Sequence, residues 1–300
     1  MLKIAFSSIY KYQLPVGHRF PMEKYELLPE QLLYEGTISQ ANFFLPAALD
    51  EATILLTHEA DFWFRLKNQQ LHRREVREIG FPMSAQLVDR GRHIADGTLK
   101  CTAFARQYGI AMNIAGGTHH AYSFKGAGFC LINDIAIAAN YLLNEGLYQK
   151  ILIIDLDVHQ GDGTAQIFSN EDRVFTFSMH GAKNYPLRKQ KSSLDIGLPD
   201  KTEDAEYLKI LKETIPLLLD TVQPEFVFYL SGVDVLASDK LGRLAMSIAG
   251  CKERDRFVLQ LCRENDIPLA VSMGGGYSHK LAHIIEAHAN TFRLAQEIFF

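Results

Sequence analysis

Short runs of branched apolar residues alternate with longer stretches of helical period through the second half of the chain. Ile151–Asp155 (ILIID), Val174–Ser178 (VFTFS), Phe226–Leu230 (FVFYL) and Pro268–Ser272 (PLAVS) are strand-length and show little polar alternation, as strands covered on both faces do. Asp204–Asp220, Lys252–Asn265 and Lys280–Phe299 read as helices between and after them. Upstream, Ile110–Ile114 predicts a strand and Ile132–Glu145 a helix, and the opening MLKIAFSSIY predicts a first strand. Strand, helix and strand in succession require crossover connections, so the pattern predicts an α/β fold with a mainly parallel sheet and helices on both faces. Residues 23–100 are less regular and predict helices and long loops. No repeat, low-complexity tract or Pro/Gly/Ser linker divides the chain, and one domain over 1–300 is expected.

Composition narrows the partners. The 300 residues are 47% hydrophobic and 22% charged, enough to bury a large core. A formal net charge of −4 and a pI near 6.3 argue against nucleic acid as the main partner. Cys101, Cys130, Cys251 and Cys262 contain no C-x-x-C, which fits reduced core thiols better than a disulfide framework or a thiolate zinc site. The N-terminus lacks the apolar stretch and cleavage site of a signal peptide, and no window reaches the roughly 18 apolar residues of a membrane span. A cytoplasmic protein with no membrane partner is the expectation.

Unusual residues gather where strands end, the edge at which open α/β sheets bind ligands. In IIDLDVHQGDG (Ile153–Gly163) an apolar strand runs into Asp155, Asp157, His159 and Asp162. Alternate strand residues point the same way, so Asp157 and His159 face one point if the strand stays extended, and carboxylate plus imidazole forms part of a divalent-metal site. A polar loop after a strand would explain Gly161 and Gly163, but not two acids and a histidine stacked there. GGTHHA (Gly116–Ala121) places adjacent histidines behind two glycines, candidates for metal binding or proton transfer. LSGVDVLASD (Leu230–Asp239) ends another strand on Asp234, which alone would read as a helix cap or loop carboxylate. MGGGY (Met273–Tyr277) lets the backbone approach a ligand and can project Tyr277 into a site; without a G-x-x-x-x-G-K-[ST] pattern it does not read as a phosphate loop.

With GGTHHA, GAGFCLIND (Gly126–Asp134), DLDVHQGDGTA (Asp155–Ala165), FSMHG (Phe177–Gly181), SGVDVLASDKLG (Ser231–Gly242) and MGGGY in this order, the chain resembles the histone deacetylase and deacetylase-like amidohydrolase family. The likeness starts at GHRFPMEKY (Gly17–Tyr25) and is closest to bacterial and class IV members. The resemblance implies an arginase-like three-layer α/β/α domain. It implies zinc, or iron in its place, held by Asp157, His159 and Asp234. Three ligands leave room for water, the pattern of a catalytic site. His119 and His120 match the family's tandem histidines, oriented by Asp155 and Asp162, and Tyr277 matches the tyrosine that binds the scissile carbonyl. Gly128, Phe129 and Tyr185 match the acyl-lysine tunnel, and Asp155, Ser178 and Met179 a structural potassium site.

Gln160 stands where some members carry a second histidine, Met273 replaces the first glycine of a four-glycine run, and Pro186–Lys201 departs at the tunnel rim. The implied activity is removal of acyl groups from lysine in a protein or peptide. An amidohydrolase of acetylated polyamines or other small acylated amines is the alternative, and a non-catalytic acyl-lysine binding module the rival from another class. Intact His119, His120 and Tyr277 speak against a mere binder, and a two-metal ureohydrolase would want more acids. Leu241 falls where polyamine-directed relatives carry a glutamate, so peptide acyl-lysine is expected to be favoured, unless Leu241 only anchors its loop in the core.

Overall fold

Eight strands form one sheet in the computed structural model, which describes residues 1–300: β1 (Lys3–Ala5), β2 (Phe43–Phe44), β3 (Ile110–Asn113), β4 (Ile151–Asp155), β5 (Val174–Gly181), β6 (Leu194–Leu198), β7 (Phe226–Gly232) and β8 (Leu269–Gly274). Their order across the sheet is β2-β1-β3-β8-β7-β4-β5-β6, and every adjacent pair is parallel. Ten α-helices connect and cover them: α1 (Lys24–Tyr34), α2 (Glu51–Leu55), α3 (Ala60–Lys67), α4 (Arg73–Ile79), α5 (Ala85–Tyr108), α6 (Asp134–Asn144), α7 (Asp162–Ile167), α8 (Asp204–Val222), α9 (Ile248–Glu264) and α10 (Leu281–Phe299).

The period of two decides which layer each strand residue meets. Ile151, Ile153, Phe226 and Phe228 pack with Ile135, Ala139 and Leu142 of α6. Their neighbours Leu152, Ile154, Val227 and Tyr229 belong to the core shared with α8, α9 and α10 through Leu211, Val258 and Phe292. The result is the expected arginase-like α/β/α arrangement. Helix starts follow from capping: Ser84, Asn133 and Ser247 accept the amides of Leu87, Ala136 and Gly250.

Three strands run beyond their apolar segments, β5 to Gly181, β7 to Gly232 and β8 to Gly274, because their polar ends are also buried. The sequence pattern did not reveal β2, which has two residues, or β6, which lies within the divergent segment 186–201. β6 is an edge strand whose LDIGL is mostly half-exposed, so it lacks a continuous apolar run. All four cysteines are free and buried, and no helix is long and apolar enough to cross a membrane.

One ionic contact ties the layers together at the carboxyl edge of the sheet. Arg254 of α9 is fully buried, with its Nε 2.8 Å from Asp255 Oδ1. Its Nη1 donates to the carbonyls of Leu156 (3.2 Å) and Gly232 (2.5 Å), just past β4 and at the end of β7. Asp255 also accepts from the Tyr229 hydroxyl and from Thr291 of α10. Removing one member of such a pair strands the other charge in the core. Arg254→Met should therefore lower the free energy of unfolding by about 3–5 kcal/mol, and adding Asp255→Leu should recover part of it. Urea unfolding of the three proteins is the measurement; a loss below about 1 kcal/mol in the single variant would show that the clamp contributes little.

Candidate active site

The sheet delivers three ligand groups to one point. Asp157 and His159 follow β4, and Asp234 follows β7; their donor atoms lie within 4.8 Å of one another and all three residues are buried. They meet by a route different from the extended strand expected from D-x-H. β4 ends at Asp155, and Asp157 Oδ1 accepts the His159 amide at 2.9 Å, folding the segment into a tight turn. His159 Nδ1 then stands 2.9 Å from Asp157 Oδ1 and 3.2 Å from Asp234 Oδ2. Asp234 Oδ1 accepts the Val158 amide, whereas its Oδ2 is buried without a hydrogen bond of good geometry. Two carboxylates, one imidazole and an under-satisfied buried oxygen fit a divalent cation. Burial and the nearby Asp157 charge raise the Asp234 carboxyl. Burial alone would lower His159, but Asp157 and Asp234 outweigh it and push the imidazole up to about 10. The two carboxylates thus favour a positive charge between them, which a bound cation would supply.

The tandem histidines share a face of this centre but have separate partners. His119 Nδ1 lies 2.7 Å from Asp155 Oδ2 and its Nε2 3.9 Å from Asp157 Oδ1. His120 Nδ1 lies 2.6 Å from Asp162 Oδ1, whose other oxygen accepts from the Tyr122 hydroxyl. Burial lowers His119, but Asp155 and Asp157 overcome it and lift the ring to about 9. Burial and the charged His119, 4.1 Å away between ring centroids, lower His120 to about 4. With their rings this close, the two histidines titrate as one coupled system.

Tyr277 completes the wall opposite His120, its ring 6.5 Å from that of His159 and 6.0 Å from that of Phe129. Burial, then the Asp234 and Asp157 charges, push its phenol well above the usual range. Gly275 has φ +59°, and a Cβ there would collide with the Asp234 carboxylate. Lys24 of α1 is buried under the same loop, donating to the Gly275 carbonyl at 2.5 Å and facing the rings of Phe20, Tyr25 and Tyr277.

A cavity of about 380 Å³ opens from this centre to solvent, lined by Gly128, Phe129, Tyr185, Leu241, His120 and Tyr277 among others. Gly128 has φ +52° and its missing Cβ leaves room for the His120 ring. Tyr185 packs edge-on to that ring with centroids 4.8 Å apart. Leu241 both lines the cavity and packs on the core. Segment 186–201 reaches the centre through Gln160, whose amide bonds Gln190 in both directions and Asp195. Ser178 pairs with Asp155 across β4 and β5, with Met179 buried beside it; the Ser178 hydroxyl meets His180 Nδ1 at 3.0 Å.

The same architecture recurs in solved structures. An HDAC homolog complexed with SAHA superposes with a TM-score of 0.84 over 97% of this chain and 82% of that one, at 24% identity. An HDAC homolog from Aquifex aeolicus gives 0.82 at 23% identity, with the same coverage. At these identities the likeness shows the fold. A histone deacetylase domain model matches residues 18–292. An uncharacterised protein of Picosynechococcus sp. is 42% identical over 99% of both chains. Histone deacetylase 2 of Arabidopsis thaliana is 29% identical over 89% of this chain and 72% of its own, and the acetoin utilization protein AcuC of Staphylococcus aureus 28% identical over 89% and 74%. The chain belongs to the histone deacetylase family, amide hydrolases of acylated substrates.

Several residues that brace the site carried no role in the sequence reading. Asp239 accepts the amides of Leu241, Gly242 and Tyr277, pinning the cavity rim to the tyrosine loop. Asp134, at the start of α6, accepts the amides of Gly117 and Thr118 and the hydroxyls of Thr98 and Thr118, which sets the loop entering His119. Asn133, which caps α6 and so shortens the helix expected from Ile132, also holds the Ala121 carbonyl through its Nδ2. Buried His58 spans the rest, Nδ1 donating to the Tyr122 carbonyl and Nε2 accepting the Asn133 amide, both at 3.0 Å. That pair of bonds requires the neutral ring, and burial lowers it to about 4. An unfolded His58 titrates near 6.5, so its contribution is complete above that pH and is lost as pH falls toward 4. Unfolding free energy should drop by about 3 kcal/mol across this window on account of His58. His58→Gln, which retains a donor and an acceptor, should flatten the profile by that amount in denaturant titrations; equal pH slopes for both proteins would refute it.

Proposed function

We propose that the protein is a zinc-dependent deacylase, removing acetyl or longer acyl groups from lysine side chains. The observation that carries this reading is the convergence of Asp157, His159 and Asp234 with His119, His120 and Tyr277 at the base of one open cavity. Asp157, His159 and Asp234 would hold zinc, with iron as the substitute their donor set also suits. Zinc, when bound there, would polarise the amide carbonyl and acidify water.

The protein's own groups supply the rest. Neutral His120, its Nδ1 fixed by Asp162, can take a proton at Nε2. His119, held by Asp155, keeps a proton available for the leaving amine. Tyr277 stays protonated because its phenol is buried near carboxylates, so it can donate to the carbonyl oxygen as negative charge develops there. Gly128, Phe129 and Tyr185 flank the aliphatic stem, and the apolar Leu241 meets it at the mouth. Asp155, Ser178 and Met179 would hold a structural potassium. The reading takes 1–300 as one catalytic domain acting in the cytoplasm, where four free thiols stay reduced.

Metal content and turnover of an acyl-lysine peptide, measured on the same samples, test the core of this assignment. Asp157→Ala and Asp234→Ala should lose both together. Tyr277→Phe should keep its metal while the catalytic rate constant falls by about a hundredfold. Stoichiometric zinc and normal rates in either aspartate variant would sink the ligand assignment.

Substrate class is tested separately. Leu241 offers no charge for a second ammonium, so acetylated spermidine should be a poorer substrate than an acetyl-lysine peptide. Leu241→Glu should shift the ratio of specificity constants toward the polyamine by about tenfold. A wild-type preference for acetylated spermidine would make the small-amine reading the better one.

A further inference from the structure

The mouth of the cavity is positively charged although the chain as a whole carries a net charge of −4. Arg19 and Arg77 both line the 380 Å³ cavity. Arg19 is stacked on the wall itself, its guanidinium carbon 4.9 Å from the centroid of the Phe129 ring. Arg77 directly precedes the two residues whose backbone is tied to the same wall. The amides of Gly128 and Phe129 donate to the carbonyls of Glu78 and Ile79 in the last turn of α4, at 2.9 and 2.7 Å.

Neither guanidinium is neutralised. Arg19 forms no ion pair, and Arg77 makes only a long bond from Nε to the Arg73 carbonyl within its own helix (3.4 Å). The one carboxylate at the mouth, Glu78, is shared by Arg74 and Lys125, each at 3.4 Å. Lys240, next to Leu241 on the rim, shares a neighbouring surface cavity with Arg19, Lys11 and Glu23 and forms no ion pair. Guanidiniums at the edge of a binding cavity, one of them stacked on its wall, are suited to a carboxylate.

We propose that Arg19 and Arg77 form a carboxylate-recognition site at the mouth, selecting acyl-lysine substrates that carry an acidic group beside the modified side chain. This rests on the acyl-lysine reading and specifies its substrate. The carboxylate is either an Asp or Glu side chain flanking the acyl-lysine in a peptide, or the α-carboxylate of a free acylated lysine. The two sources place the same group outside the cavity while the acyl chain occupies it.

The test compares specificity constants of the zinc-loaded protein on matched acetyl-lysine peptides flanked by Asp/Glu, Ala or Lys/Arg. Free Nε-acetyl-lysine and its α-carboxamide form the second arm. Acidic flanks should exceed basic ones by about tenfold, mainly through KM, or the free acid should exceed its amide by a similar factor; the arm showing the preference identifies the source. Arg19→Gln/Arg77→Gln should bring that ratio to within about twofold. Raising ionic strength from about 0.05 to about 0.5 M should erode it in the wild type, a readout that needs no variant. Turnover without charge preference in either arm, or a preference that survives the double substitution, overturns the inference and leaves the deacylase reading intact. Absence of turnover on every acyl-lysine compound removes the deacylase reading and this inference with it.

Discussion

Burial of carboxylates at the ends of parallel strands is the constraint on which the rest of the structure depends. Asp134, Asp155, Asp157, Asp162 and Asp234 are each no more than 3% exposed, and an unpaired buried carboxylate carries a penalty of several kcal/mol. Each therefore dictates its surroundings. Asp134 gathers loop amides and hydroxyls, Asp155 and Asp162 each take a histidine, and Asp157 and Asp234 crowd one imidazole between them. The loops that carry these groups have little freedom left, which is the condition for a preorganised site.

A fully parallel sheet makes this concentration of polarity compatible with two apolar layers. Every strand ends at the same edge, so the charged groups stack beyond the sheet and do not interrupt it. Two devices hold that edge from opposite sides. Arg254 reaches through from α9 to the backbone just before Asp157 and Asp234. Asp239 binds the rim and the tyrosine loop from the front, although burial and the Asp234 charge raise its carboxyl to about 6. Three amide donors keep it in place. The tyrosine loop and the Asp234 segment are thus joined, through Asp239 and through the close approach of Gly275 to the Asp234 carboxylate.

What could be read from the sequence follows the same physics. β4 coincides with Ile151–Asp155 because a strand buried on both faces leaves an unbroken apolar signature. β5, β7 and β8 continue into Ser, Met, His and Gly, where the ladder persists but hydrophobicity does not. β6 at the edge has no such signature at all. Asp157, His159 and the tandem histidines stood out because acids and histidines at strand ends are hard to explain as core or surface, whereas Asp234 and Tyr277 were singled out mainly by the family resemblance. The supports of these residues did not stand out. Arg254 looks like any polar position of an amphipathic helix, and its partner carbonyl at Leu156 lies 98 residues away. His58 sits in an irregular stretch whose only clue is its contact with the α6 cap, visible in three dimensions alone.

If the substrate is an acylated lysine, as proposed above, the electrostatic contrast between floor and mouth suits a reaction that changes the charge of that side chain. An acylated lysine is neutral, so guanidiniums at Arg19 and Arg77 do not oppose its approach, and an adjacent carboxylate is drawn to them. Deacylation restores an ammonium, which must leave past the same two cations. The rim therefore interacts differently with substrate and product, although both carry the same neighbouring residues. At an effective dielectric near 20, two like charges about 4 Å apart repel by roughly 4 kcal/mol, and in water by about 1 kcal/mol. On that reading, a cationic mouth above an acidic floor would favour entry of the modified side chain and exit of the free one.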